Sequence, residues 1–223
     1  MIEVEHVSKR FGRVVALHDV SLSIEPGERV ALVGSNGSGK TTLLRALLGL
    51  IRVEGLIRIA GYDVAKQPEL ALRELAYVPQ ISPPLDAPVR EVLAAFCRLR
   101  NIREKACADC ASRLGLSVGA IENTRFRDLS GGMRQKLLAA MALAAQPKIL
   151  VCDEPTANLD ADARAAFLEQ IERRPADAVL IVCSHREEDV RGLVTRIITL
   201  HEGTVASDSL SESHSAIRLR VLP

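Results

Sequence analysis

The chain has 223 residues, a formal net charge of +1 and 26% charged residues, a balance that gives neither the basic field of a nucleic-acid binder nor the acidic excess of a disordered chain. With 48% hydrophobic residues it can bury one substantial α/β core with a helical insert, but not a second full-sized domain. The N-terminus, MIEVEHVSKR, lacks the apolar stretch of a secretory signal, and the uncharged run Leu137 to Pro147 falls short of the about 20 residues that cross a bilayer, so a soluble or membrane-peripheral protein is expected.

In chain order, Ile2 to Val7 alternates as a strand, and Val20 to Ile24 repeats the alternation after a turn at Phe11 to Arg13. These early strands should form an antiparallel piece beside a parallel core. Phe11 at its edge reads either as a ring that stacks on a base or as a packing residue, and its position alone leaves both open. The β-branched run Arg29 to Val33 then leads into GSNGSGKT, Gly34 to Thr41, and on to the leucine-rich helix Thr42 to Leu50. Strand, glycine-rich loop and helix, with the full G-x-x-x-x-G-K-[ST] spacing, make a phosphate-binding loop. The glycines let backbone N–H groups turn inward around an anion, and the helix adds its positive end. Lys40 would reach the β- and γ-phosphates and the Thr41 hydroxyl would take a position on Mg²⁺.

GLIRIAGYDV then gives a short strand and turn, a helical stretch ends near Arg73, and Leu75 to Gln80 reads as a buried strand. Three prolines in Ile81 to Pro88 stop regular structure, which leaves Gln80 at the mouth of a loop. Val89 to Leu116 is helical in pattern, broken at Asn101, and forms the expected helical insert, parts of which could face another protein. Within Arg127 to Asp160, Ser130 and two glycines precede a helix from Met133 to Ala145, a second ready-made anion site, and Pro147 ends it. The strand KILVC then delivers Asp153 and Glu154 at its carboxyl end, where open α/β sheets bind ligands. An aspartate there suits Mg²⁺, and the adjacent glutamate is placed to orient or deprotonate a water.

A helix, ADARAAFLEQIERR, and the strand Ala178 to Cys183 bring Ser184 and His185 to another strand end, where His185 reads as a γ-phosphate donor or as an ordinary loop residue. VTRIITL and GTVAS close the core as strands, SDSLSESHS reads as a serine-rich link, and IRLRVLP alternates like one more strand without a partner. Five cysteines without scaffold spacing, Cys152 and Cys183 among them in apolar strands, suit a reducing compartment, and the C-x-x-C of Cys107 and Cys110 reads as incidental to a helix.

From about Ile2 to about Ser207 these residues resemble the ATP-binding cassette ATPases, the motor subunits of ABC transporters. LSGGMRQ, Leu129 to Gln135, is similar to the family signature, GSNGSGKT to its Walker A loop, ILVCDEP to Walker B, and Asn158 to Asp160 to the D-loop. The resemblance implies an α/β fold: a P-loop NTPase core with a mostly parallel sheet, an N-terminal antiparallel β piece and a helical subdomain inserted at about residues 88–145. The cassette would span residues 1–207, followed by a tail of residues 208–223. It implies ATP and Mg²⁺ as cofactors, with ATP contacts from Phe11, Gly34, Ser35, Asn36, Gly37, Ser38, Gly39, Lys40, Thr41 and Thr42, and Mg²⁺ held by Thr41, Gln80 and Asp153. Glu154 becomes the catalytic base, His185 the γ-phosphate contact and Gln80 the nucleotide sensor.

In this family the signature of one subunit caps the ATP of another, so a head-to-tail homodimer, or a heterodimer with a second ATPase subunit, is implied. Ser130, Gly131 and Gly132 would act in trans, with Asp160 in the D-loop between the sites. A transmembrane permease subunit would be the further partner, nucleic acid would not, and the protein would sit peripherally on the cytoplasmic face of the membrane. Met133 replaces the glutamine more usual after SGG, a form similar to exporter ATPases, which points to export. The alternative, a soluble ABC ATPase of DNA repair or translation, would call for a long coiled-coil insertion or a second cassette, and neither is visible in the sequence.

Overall fold

A computed structural model describes residues 1–185 and 192–211. In chain order the strands are β1 (Ile2–Phe11), β2 (Val14–Ile24), β3 (Arg29–Val33), β4 (Glu54–Ile59), β5 (Tyr62–Asp63), β6 (Leu75–Val78), β7 (Ile149–Asp153), β8 (Val179–Cys183), β9 (Arg196–His201) and β10 (Thr204–Leu210). The helices are α1 (Lys40–Leu47), α2 (Pro68–Arg73), α3 (Val89–Arg100), α4 (Glu104–Arg113), α5 (Val118–Ile121), α6 (Gly131–Ala144) and α7 (Ala161–Glu172). They fall into two compact units, one made of Met1–Leu75 with the described residues from Ala176 onward, the other of Ala76–Pro175.

In the first unit β1 and β2 form a hairpin and β4 and β5 extend it into an antiparallel sheet of order β2-β1-β4-β5. Both hairpin strands run further than the sequence alternation predicts, β1 to Phe11 and β2 from Val14. A bulge hides the continuation: His6 and Asp19 both adopt φ 51°, the register slips between Val4 and Val7, and the side-chain period changes phase there. In the second sheet of this unit β3 lies between β8 and β9, parallel to both, and β10 pairs antiparallel with β9. Leu32 faces Cys183 across one ladder and Ile198 across the other, and the apolar runs of β3 and β8 are buried, as a strand covered on both faces requires.

The serine-rich stretch predicted as a link is strand as far as Leu210, with Ser209 opposite Ile197. Its side chains are exposed, so ladder hydrogen bonds and an ion pair between Asp208 and Arg196 hold it where apolar burial does not. IRLRVLP lies outside the described residues.

The second unit places β7 beside β6 and also contains α3 to α7. Asn101, at φ 53°, ends α3 in the left-handed conformation, the break the sequence shows at that residue. Cys107 and Cys110 lie in α4 as expected, and α4 packs on α6. Phe126, Phe167, Leu114 and Leu137 are among this unit's fully buried large side chains. α6 starts two residues before the predicted Met133, because the Ser130 hydroxyl accepts from Met133 N at 3.2 Å and so caps a first turn made of the two glycines. Among the described residues no helix is long and apolar enough to cross a membrane.

Candidate nucleotide site

The first unit builds an anion cradle. β3 ends at Val33 and the chain turns sharply at Gly34, φ 149°, where a Cβ would stand 2.3 Å from Leu200 O, so only glycine fits. Gly39, φ 105°, begins α1 as its N-cap, and a Cβ there would meet Ala16 O of β2 at 2.7 Å. The loop is thus moulded against the N-terminal hairpin and the β9–β10 hairpin: Gly203 N donates to Ser38 O at 3.0 Å and its own carbonyl accepts from His18 N at 2.8 Å.

Lys40 folds back across the loop and its Nζ donates to Gly34 O at 2.6 Å and Ser35 O at 3.0 Å. An ammonium has three N–H donors, so these two bonds hold the cation over the cradle and leave one hydrogen for an anion. Ser35, Asn36 and Gly37 are exposed at the loop crest, Thr41 is exposed on the first turn of α1 and Thr42 is half-buried. Ser38 is buried, and its Oγ has no hydrogen-bond partner among the described residues, so it braces the loop from inside and does not face solvent. Phe11 is 49% exposed at the hairpin turn with Lys9 Nζ 5.1 Å from its ring centroid, an accessible aromatic face. His185 follows β8 at the carboxyl edge that β8 shares with β3, where Ser184 N donates to Leu32 O at 3.2 Å. The phosphate loop and His185 therefore emerge from neighbouring parallel strands on one side of the sheet.

In the second unit β7 is buried throughout and delivers Asp153 at its end, 9% exposed, where the Tyr77 hydroxyl donates to Oδ2 at 3.4 Å. Glu154 follows at φ 49°, a conformation non-glycine residues adopt at a cost of about 1 kcal/mol or more, and it is half-buried. The segment after it is fastened to α6. Gln135 Nε2 donates to Pro155 O at 3.3 Å, a Cβ on Gly132 would lie 3.2 Å from Asn158 O, and Lys136 Nζ stands 2.7 Å from Asp160 Oδ2. Asp160 also caps α7 by accepting from Ala163 N at 2.8 Å. The Lys136 ammonium and that amide hold its carboxyl below the usual aspartate range.

Gln80 is exposed beyond β6 and lines, with Pro83, Pro84, Arg127, Gly131 and Arg134, a cavity of about 490 Å³. Ser130 and Gly131 are exposed at the α6 N-terminus. Lys136 was not singled out in the sequence, and Arg134, Gln135 and Asn158 entered only as members of the signature and D-loop stretches, without a role of their own. The only signal for them is that Gln135 and Lys136 lie on the first turns of the signature helix, and which way they face depends on a loop twenty residues further on.

The donor set of the first unit suits the phosphates of ATP: a glycine cradle at a helix N-terminus with a lysine over it. A buried parallel strand, phosphate loop and helix, with a second strand that ends in Asp-Glu, define a P-loop NTPase of the α/β class. Residues 17–157 match the family model described as ABC transporter. The chain is 38% identical over 204 residues to the zinc import ATP-binding protein ZnuC of Cereibacter sphaeroides, covering 90% of this chain and 79% of that protein. It is 33% identical over 210 residues to the Nod factor export ATP-binding protein I of Paraburkholderia xenovorans, covering 91% and 68%.

Among solved structures, an ATP-binding subunit of an ABC transporter superposes with a TM-score of 0.87 at 26% identity, covering 100% of this chain and 95% of that one. A bacterial ABC transporter cassette solved as a dimer gives 0.81 at 25% identity, covering 95% and 99%. The chain belongs to the ABC transporter family, as one of its ATP-binding, ATP-hydrolysing motor subunits.

Proposed function

We propose that this chain drives a separate transmembrane permease in export, working as a head-to-tail dimer on the cytoplasmic face of the membrane. The observation that carries the reading is the signature helix. Ser130 caps it, its glycine N-terminus is exposed, and it is bound to the segment that follows Glu154. An exposed helix N-terminus of this kind is an anion site that no phosphate loop of the same chain needs. In the dimer Ser130, Gly131 and Gly132 cap the γ-phosphate of an ATP held by the partner's loop.

Gly34 to Thr42 and Phe11 bind that nucleotide from the other side, and Thr41, Asp153 and Gln80 hold its Mg²⁺, which neutralises charge on the phosphates. The Glu154 carboxylate orients the attacking water and accepts its proton. His185 donates to the γ-phosphate, and Lys40 places its third N–H on the phosphates. Phosphoryl transfer depends mainly on such positioning and charge stabilisation, so hydrolysis waits on dimer closure. Gln80, among the prolines 83, 84 and 88, couples that closure to the permease. A helical subdomain at about residues 88–145 carries the signature, and the cassette extends through β10 to Leu210, three residues past the end at residue 207 that the sequence suggests.

Met133 in the signature and the likeness to a Nod factor export protein support export. Import is the second reading, favoured by the 38% identity to a zinc import protein. Co-expression with the candidate permease and transport into inside-out vesicles separates them. ATP-dependent accumulation of cargo in the vesicle lumen is expected for export, and ATP-dependent release of preloaded cargo would establish import.

A further inference from the structure

The register of the β1–β2 hairpin slips between Lys9, which faces Leu17, and Arg10, which faces Val15, so Ala16 is an extra residue without a partner in the ladder. Its carbonyl oxygen is the atom that a Cβ on Gly39 would meet at 2.7 Å, which seats this bulge against the N-cap of α1. Val14, opposite Phe11, lies two residues further along β2, about 7 Å at the rise of a strand. Phe11 thus stands beside the phosphate cradle at a distance that the sugar of a nucleotide can bridge. Phe11 and Val14 share one side of the ladder and are 49% and 67% exposed.

Lys9 does not extend into solvent as a surface lysine would. It is half-buried, its Nζ lies over the Phe11 ring 5.1 Å from the centroid, and the same Nζ donates to Arg52 O at 2.6 Å, in the segment between α1 and β4. The carbonyl fixes the ammonium, and the ammonium, drawn to the negative face of the ring, fixes the ring. One face of Phe11 is therefore occupied and the other is open. A cation on one face draws π density toward itself and lessens the repulsion that the π cloud of a purine meets on the other. A ring already held in place also loses less rotamer freedom when a base stacks on it.

We propose that Lys9 is a positioning residue for nucleotide binding: anchored on Arg52 O, its ammonium holds one face of Phe11 and presents the other to the adenine base. This role rests on Phe11 being the ring that stacks on that base.

Isothermal titration of the full chain with Mg-ATP and, separately, with Mg-tripolyphosphate, which carries the phosphates without the base, tests it. Lys9→Met keeps the apolar stem and removes the charge. It should weaken Mg-ATP binding by about threefold, the scale of an exposed cation–π contact, and leave Mg-tripolyphosphate binding at the parent value. Lys9→Arg, which keeps a cation, should recover the lost affinity. Phe11→Leu should weaken Mg-ATP binding by about tenfold, the scale of a base–aromatic stack, and adding Lys9→Met to it should have no further effect. If Phe11→Leu leaves Mg-ATP affinity unchanged, the stacking reading is wrong and the role of Lys9 goes with it. If Phe11→Leu weakens Mg-ATP binding and Lys9→Met does not, the role of Lys9 alone is overturned. It is overturned too if Lys9→Met weakens Mg-ATP and Mg-tripolyphosphate equally, or acts as strongly without the ring as with it.

Discussion

Glu154 is held in a left-handed backbone conformation at the end of a buried strand, half-buried and beside the more deeply buried Asp153. Such strain persists only where the surroundings enforce it, here a buried β7 on one side and the Gln135 clamp on Pro155 on the other. If its carboxylate takes the water proton, Glu154→Gln keeps the shape and loses the base. Steady-state hydrolysis should fall by about a hundredfold or more while ATP binding persists, and size-exclusion chromatography with Mg-ATP should show an accumulated dimer. A monomer that hydrolyses at the parent rate would remove Glu154 from the mechanism. Lys40 acts earlier, at binding. Lys40→Ala removes the cation now spanning Gly34 O and Ser35 O, and affinity for a fluorescent ATP analogue should drop by about tenfold or more. Unchanged affinity would mean that the loop is not the nucleotide site.

Among the elements, those with a strong local cause were legible in the sequence and those with a distant cause were not. The phosphate-loop unit could be read because β-branched residues, positive-φ glycines and a leucine helix each demand their local conformation. The D-loop aspartate could be found by likeness, yet its double use as the α7 cap and as the Lys136 partner could not, because Lys136 lies 24 positions earlier on another helix. β10 was legible only as far as Ser207, because what extends it is an ion-pair cluster that has no periodicity. Arg196 gives Asp208 two bonds, Nε at 2.7 Å and Nη2 at 2.6 Å, and turns Nη1 to Glu28 Oε2 and to Ser23 O, both at 2.9 Å.

The Arg196 hydrogen bonds hold the Asp208 carboxyl below its usual range. A depressed folded pKa makes that stability fully present above the unfolded aspartate value of about 4 and lost as pH falls through the lower folded value. Its side chain is 36% exposed, so solvent limits the contribution to about 1 kcal/mol. Asp208→Asn should therefore lower urea stability by about that amount at neutral pH, with the difference from the parent shrinking in acid. A difference that stays constant down to acid pH would assign the loss to packing and not to the ion pair.

For the whole molecule, the question is whether one chain suffices. Separate compact units carry the phosphate loop and the signature helix, and the signature N-terminus is exposed. If Ser130 and its glycines act only across a dimer, Ser130→Arg puts a bulky side chain at the α6 N-terminus and prevents closure, while its own phosphate loop still binds ATP with parent affinity. Alone, Ser130→Arg and Lys40→Ala should each lack turnover. In a mixed dimer one site carries both lesions and the other carries neither, because each site takes its loop from one chain and its signature from the other. The two inactive proteins together should then regain a part of parent ATPase activity, limited by the fraction of mixed dimers and by the single intact site in each. Restoration that rises and falls with the mixing ratio, peaking near equal amounts, is the expected signature of shared sites. A mixture that stays inactive while mixed dimers are seen by differential tagging would mean that sites are not shared or must fire together. Full activity of Ser130→Arg by itself would remove the signature helix from the nucleotide site altogether.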